Sequence, residues 1–400
     1  CSSAAGGLKM VALGLVPDLT AKAARTAASN AGAKVVKTFA YEISGSEQQE
    51  IYDINPDLVL LCGGTDGGNK EVIIANAKHL VAIDRPFTTI VAGNKSANDD
   101  IKAIFDEAGK DVVITANVMP QFNKLNIEPA RDAIRQLFIS RIIEAKGLNI
   151  LQSMTSYKII PTPLAVLHAC ELLSKGTKTQ QGRGDLLAVD IGGATTDVYS
   201  MASGEPTVDN TMLKGLPEPW MKRTVEGDLG MRYSLTHVYE QIPGSDNPEN
   251  EYMQQVKAWV ELCTARPDTL AAPGSEEEKL EEFLGRSAVS MAVERHCGRI
   301  ADVYTPLGLM HTQEGKDLMN VPSVIGIGGV LRNSRRPEEI LKGSLYDFMH
   351  PECTKPRKPK FYLDQKYIFA SMGLLRSINP ELAFELLNKE TVEIGCNATV

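Results

Sequence analysis

The segment Asp190-Ile191-Gly192-Gly193-Ala194-Thr195-Thr196-Asp197 carries the strongest chemical signal in the chain. Adjacent glycines let backbone N–H groups approach phosphate oxygens with no Cβ in the way. The hydroxyls of Thr195 and Thr196 add donors. Asp190 and Asp197, at either end of the turn, can hold Mg2+ through its waters or orient an attacking water. Apolar residues 186–189 before the segment and Val198-Tyr199 after it predict a strand, a turn and a second strand. The simpler reading is a hairpin whose Gly-Gly only makes the turn. Acids, glycines and threonines packed this densely after a buried strand favour phosphate chemistry.

A second glycine cluster, Gly326-Ile327-Gly328-Gly329, follows the apolar Val324-Ile325. A strand running into Gly-x-Gly-Gly lets the backbone lie flat against adenosine, although such turns also arise for packing alone. Its place downstream of the first motif points to function. The block from Arg223 to Arg232 mixes charge, glycine and apolar residues. Glu226 or Asp228 can meet ribose hydroxyls there; a helix with its charges in solvent explains the block equally well. Cys62-Gly63-Gly64-Thr65-Asp66-Gly67-Gly68-Asn69 lies between a predicted strand and helix, where open α/β sheets bind ligands. It lacks the Gly-x-Gly-x-x-Gly register and Gly-Lys-Ser/Thr, so neither a dinucleotide fold nor a P-loop is indicated, and a tight turn is favoured. Basic residues between 332 and 360 read as a solvated surface from which Arg332 or Arg335 can reach a phosphate.

The elements that must position these residues follow from hydrophobic patterning. Strands are predicted at 10–16, 33–39, 58–62, 88–92 and 112–115, alternating with helices at 17–31, 70–80, from 96 and at 129–145. Gly32 is placed to stop the first helix. Continuous apolar strands between amphipathic helices predict a parallel sheet covered on both faces, making residues 1–150 one α/β unit. A helix at 163–175 and a polar loop at 176–184 form a helical connection, 151–184, with the loop as candidate boundary. Residues 185–400 form the other half: a hairpin at 186–202, a helical insert at about 219–303, a strand at 321–327 and a last helix at 366–378. The insert divides into helices at 219–239, 250–264 and 275–303, the last opened by the Ser275/Glu278 capping box.

Length and composition set the limits. At 400 residues the chain is too long for one ordinary core. It is 43% hydrophobic and 23% charged, which excludes a disordered or fibrous protein. A net charge of −8 argues against a nonspecific nucleic-acid binder. No apolar run reaches the ~20 residues that span a bilayer. Seven cysteines with no Cys-x-x-Cys pair fit a reducing cytoplasm better than a disulfide scaffold.

The Asp190 motif has the form of the second phosphate motif of the superfamily holding acetate and sugar kinases, heat-shock chaperone ATPases and actin. Gly326-Ile327-Gly328-Gly329 has the form of its adenosine motif. Residues 186–200, 223–232 and 60–69 closely resemble the accessory protein of adenosylcobalamin-dependent glutamate (methylaspartate) mutase, the GlmL or MutL family, unrelated to mismatch repair. The resemblance runs through nearly the whole chain. It implies an actin-like, ribonuclease H-like ATPase architecture and an ATP-dependent, chaperone-like reactivating role toward the mutase subunits. Carried over, Asp190 sits near Mg2+ and the attacking water. Gly192, Gly193, Thr195 and Thr196 cradle the β- and γ-phosphates of ATP, Asp197 positions the metal waters, and Gly326, Gly328 and Gly329 lie against adenosine.

Members of the superfamily begin with another Asp-x-Gly-(Ser/Thr) hairpin, and this sequence starts at Cys1-Ser2-Ser3 without it. The resemblance therefore implies a fold lacking its first strands, with weakened nucleotide binding and impaired hydrolysis. Two other readings remain: a small-molecule kinase or hydantoinase-like ATP-dependent enzyme, and a partner-binding module that hydrolyses nothing. A homo-oligomer is compatible with all three.

Overall fold

Strands that are apolar at every position must be buried on both faces, and the first part of the chain is built this way. The computed structural model describes residues 9–31, 34–145, 160–245, 247, 249–306 and 308–396. The chain divides into two compact units, Cys1–Leu164 with Gly215–Pro217, and Ala165–Lys214 with Glu218–Val400.

In the first unit β1 (Lys9–Gly14), β2 (Lys34–Ala40), β3 (Leu58–Leu61), β4 (Thr88–Val91) and β5 (Val112–Ile114) form a parallel sheet of order β2-β1-β3-β4-β5. Its helices are α1 (Lys22–Asn30), α2 (Gly45–Ile54), α3 (Glu71–Ala82), α4 (Asn98–Glu107) and α5 (Glu128–Ala145). The pleat sorts alternate side chains into two cores. Met10, Ala12, Leu58 and Leu60 pack with the alanines of α1 and with Ala130 and Ile134 of α5. Val11, Leu13, Val59 and Leu61 pack with Ile51, Ile73, Leu80, Ile101 and Phe105. Both faces are thus covered as expected. Helix α2 was not anticipated, although Ser44 and Glu47 form a reciprocal capping box at its start. Gly32 and residues 151–159 of the expected connection lie outside the described residues.

The second unit begins inside α6 (Thr162–Lys175), so the polar loop at 176–184 lies within it rather than at the boundary. Its main sheet, of order β14-β13-β12-β6-β7-β9, comprises β6 (Leu186–Ile191), β7 (Thr196–Met201), β9 (Met221–Glu226), β12 (Ser323–Ile327), β13 (Lys360–Asp364) and β14 (Thr391–Cys396). Strands β6, β12 and β13 are parallel; β7, β9 and β14 run against their neighbours. A separate sheet joins β8 (Thr211–Lys214), β10 (Arg299–Thr305) and β11 (Gly308–Glu314). The remaining helices are α7 (Leu235–Glu240), α8 (Glu251–Ala265), α9 (Glu276–His296), α10 (Gly329–Asn333), α11 (Pro337–Leu341), α12 (Phe369–Leu375) and α13 (Pro380–Glu390). Leu187, Val189, Ile191 and Val198 pack on α7, α8 and α9 in one core.

The helical insert expected over 219–303 needs correction at both ends. Residues 221–226 form a strand because β7 has an open edge and the pleat sends Arg223 and Val225 to one face, Thr224 and Glu226 to the other. The last helix of the insert ends at His296, and 299–305 become β10. At its start Ser275 Oγ accepts the Glu278 N–H, but the Glu278 carboxylate takes the N–H of Gly274.

Candidate functional site

Register brings the sequence motifs to one end of the central strands of the main sheet. Asp190 and Asp197 are direct cross-strand partners in the β6–β7 hairpin, so their side chains share a face. Ile327 pairs with Asp190, which sets Gly328 and Gly329 beside the hairpin. Gly326 pairs with Leu363, bringing Asp364 to the same end.

The turn is held by the 230–233 loop. Gly192 N donates to Thr195 O (2.9 Å), Met231 N to Gly192 O (3.1 Å), and Arg232 N and Tyr233 N both to Gly193 O (2.8 Å). A Cβ on Gly230 would stand 2.2 Å from the Ala194 carbonyl carbon, so glycine there lets this loop pass beneath the hairpin. Within the described chain the N–H groups of Gly193 and Ala194 donate to nothing.

The glycines separate by cause. Gly328 has φ +106°, and a Cβ would sit 2.3 Å from Ile191 O, so the fold itself demands glycine. Gly326 is inside β12, where a Cβ would meet Leu331 Cδ1 at 2.9 Å, so packing alone accounts for glycine there. Gly193 and Gly329 have ordinary backbone conformations, and a Cβ would find its nearest neighbours at 3.7 and 3.9 Å. Nothing in the chain requires glycine at these two positions, which leaves a cradle that side chains would fill.

Charge is unevenly compensated. Asp197 Oδ1 accepts from Arg223 Nε (2.8 Å) and Nη2 (2.5 Å), and Thr195 Oγ1 donates to Asp197 Oδ2 (3.2 Å). Burial opposes the charge of Arg223, but Asp197 and Tyr199 outweigh it and hold its pKa above the ordinary arginine value. The Asp190 carboxylate accepts no hydrogen bond from the described residues. Burial, reinforced by Asp197 and Asp364, pushes its carboxyl up to about 7. Asp364 is also raised by burial, against the opposing N–H groups of Ile368 and Phe369, to which it is bonded at the start of α12. The Tyr367 hydroxyl is pushed up by Asp190 first and burial second.

Thr196 is buried, and its hydroxyl is committed to Leu229 O. Glu226 pairs directly with Thr196, so it points to the opposite face from Asp190 and Asp197. Its Oε2 accepts from Arg295 Nη1 (2.8 Å), which also bonds Asp228. Glu226 Oε1 is buried with no partner among the described residues. The sheet therefore assembles Asp190, Asp197, Gly192, Gly193, Thr195, Gly328 and Gly329, while Gly326, Thr196 and Glu226 are turned to other contacts.

Sequence reasoning missed Asp364 and the role of Arg223. The signal for Asp364 was an acid closing an apolar strand just before a helix; Arg223 lies 26 residues from Asp197 and becomes its partner only through sheet pairing. The other candidates have partners within the chain. The 62–69 loop is tied down by Asn94, which accepts from Gly67 N and donates to Gly68 O, and by Asn117, which donates to Gly64 O and Asp66. His296 is buried with its ring nitrogens on Thr224 Oγ1 and Ser200 Oγ. In the basic stretch, Lys355 is buried on Ser290 Oγ rather than solvated.

Among the described residues no group of three or more His, Cys, Asp or Glu can hold a metal by itself. The donors fit Mg2+ in its usual phosphate-site form, with one carboxylate and the rest from waters and phosphates. No described helix is long and apolar enough to cross a membrane.

Fold and site together define an α/β protein with a glycine-lined, acidic hairpin within a mixed sheet. The family profile described as "MutL protein" matches residues 1–391. "Protein MutL" of Clostridium tetanomorphum is 47% identical over 397 residues, covering 98% of this chain and 86% of that protein. The chain belongs to the MutL family, the one its Asp190, Arg223 and Leu60 segments resemble. A solved structure described as "Mechanism of ATP-Dependent Acetone Carboxylation, Acetone Carboxylase nucleotide-free structure" aligns over 92% of this chain and 58% of that one. Its sequence identity is 14% and its TM-score 0.31.

Proposed function

We propose that this protein is an ATP-dependent, chaperone-like accessory factor of an adenosylcobalamin-dependent glutamate mutase, binding Mg-ATP at the Asp190–Asp197 hairpin of an actin-like half. Membership of the MutL family supports the partner. The observation that carries the nucleotide site is the Asp190 carboxylate, without a hydrogen bond, beside unused N–H groups and two glycines that the fold does not require.

In this reading the N–H groups of Gly193 and Ala194 hold phosphate oxygens, the Thr195 hydroxyl turns to them from Asp197 Oδ2, and Gly329 leaves room for the nucleoside. Mg2+, when bound, supplies positive charge against the phosphates. Asp190 faces that charge and holds the water that attacks the terminal phosphate. Positioning and fixed dipoles do most of the work in phosphoryl transfer, and this end of the sheet offers both. Hydrolysis would then drive a change of shape in the partner. The test is reactivation: cobalamin-inactivated mutase should regain activity with this chain and Mg-ATP. A chain that binds neither Mg-ATP nor the mutase subunits refutes the reading.

A further inference from the structure

Two carboxylates that face each other across a hairpin repel, and one cation nearby decides which of them stays available. Asp197 and Arg223 form that closed pair: their side chains are 9% and 2% exposed, and both Nε and Nη2 are spent on one oxygen. Arg223 stands opposite Tyr199 on β7, two residues along from Asp197 and therefore on the same face as the Asp190–Asp197 pair. Arg223 acts on the charge of Asp190, yet its ion pair is made with Asp197. Asp364, on which Arg332 also acts, is taken by the backbone N–H groups at the start of α12.

We infer that Arg223 is a positioning residue that sorts the hairpin carboxylates, occupying Asp197 so that Asp190 alone is left to meet a divalent cation. This rests on the reading of the hairpin as a Mg-ATP site. Asp197 then acts through Arg223: it keeps the guanidinium away from Asp190, which would otherwise take it in place of the metal. Removing Asp197 alone frees a buried cation beside Asp190, and an unpaired buried charge finds a new partner wherever one is in reach.

The readout is the ratio of fluorescent-ATP affinity in excess Mg2+ to that in EDTA, measured on the full chain. A purely structural fault lowers both affinities and leaves the ratio unchanged. In the wild type the ratio is expected to be at least about tenfold. Asp190→Asn should bring it to about one, since the acceptor for the metal is gone. Asp197→Asn should also bring it near one, because Arg223 now neutralises Asp190. The double variant Asp197→Asn/Arg223→Gln should restore it to within about threefold of wild type. A folded double variant with no Mg2+ effect would overturn the inference by making Asp197 itself the metal acceptor. So would an unaltered ratio in Asp197→Asn. A wild-type ratio of one is a different failure, that of the Mg-ATP reading itself.

Discussion

Replacing Asp190 by Asn should make the nucleotide-free protein more stable while removing its response to Mg-ATP. The carboxyl moves from 3.8 to about 7 on folding, chiefly through burial and then through Asp197 and Asp364. The folded state therefore binds this proton more tightly than the unfolded chain. The group's contribution to stability is greatest below pH 3.8, falls as pH rises to about 7, and is level above that. The full difference corresponds to ~4 kcal/mol at pH 8. Asp190 is partly open to solvent at the strand end, which trims this to ~2–4 kcal/mol. Asn keeps the shape and drops the charge, so the variant should be more stable by that amount at pH 8 and by less than half of it at about pH 5. The assay is denaturant unfolding followed by tryptophan fluorescence. The protein has two tryptophans, Trp220 and Trp259, and both belong to the second unit, so the signal reports the unit that holds the site. A variant less stable than wild type at pH 8, or a difference that does not change with pH, refutes the electrostatic account of Asp190.

The glycines divide in a second experiment: Gly193→Ala and Gly329→Ala should change apo stability by less than ~1 kcal/mol and weaken ATP binding, whereas Gly328→Ala should destabilise by ~2 kcal/mol or more. Equal losses of stability in all three would remove the argument for a cradle. Lys316 is fully buried, donating to Ser200 O, Ser200 Oγ and Trp220 O, and burial followed by Lys222 lowers its pKa to about 7. The unfolded chain then binds more protons between pH 7 and 10.5, so this group makes stability rise with pH across that window, by up to ~1.4 kcal/mol per pH unit. Unfolding of Lys316→Met at pH 7.5 and 9 should show a shallower rise than wild type; an identical slope contradicts the assignment.

What was legible in the sequence was local. The first unit's strands are apolar at successive positions and its helices separate them cleanly, so the two-faced parallel sheet could be read directly. The β6–β7 hairpin was legible for the same reason, all of it lying within one short segment. Strand β9 was not: Lys222, Arg223 and Glu226 look like a solvated helix face until β7 supplies partners. Strands β8, β10 and β11 escaped because their sheet exposes Met212, Leu213, Val303, Tyr304 and Leu309, so no buried face imposes an alternation. In the site, Gly326 and Gly328 look equivalent as letters; one fills a packed strand interior and the other an otherwise forbidden turn. Asp197 looked like a metal carboxylate because its partner Arg223 arrives from a strand that sequence reading had made a helix.

The central claim, that Mg-ATP is held at the Asp190 end of this hairpin, is tested most directly by calorimetric titration of ATP into the full chain with and without Mg2+. The expected result is saturable one-to-one binding that depends on Mg2+ in the wild type and is lost in a stably folded Asp190→Asn variant. Absence of binding to the wild type, or unchanged Mg2+-dependent binding to Asp190→Asn, would contradict it.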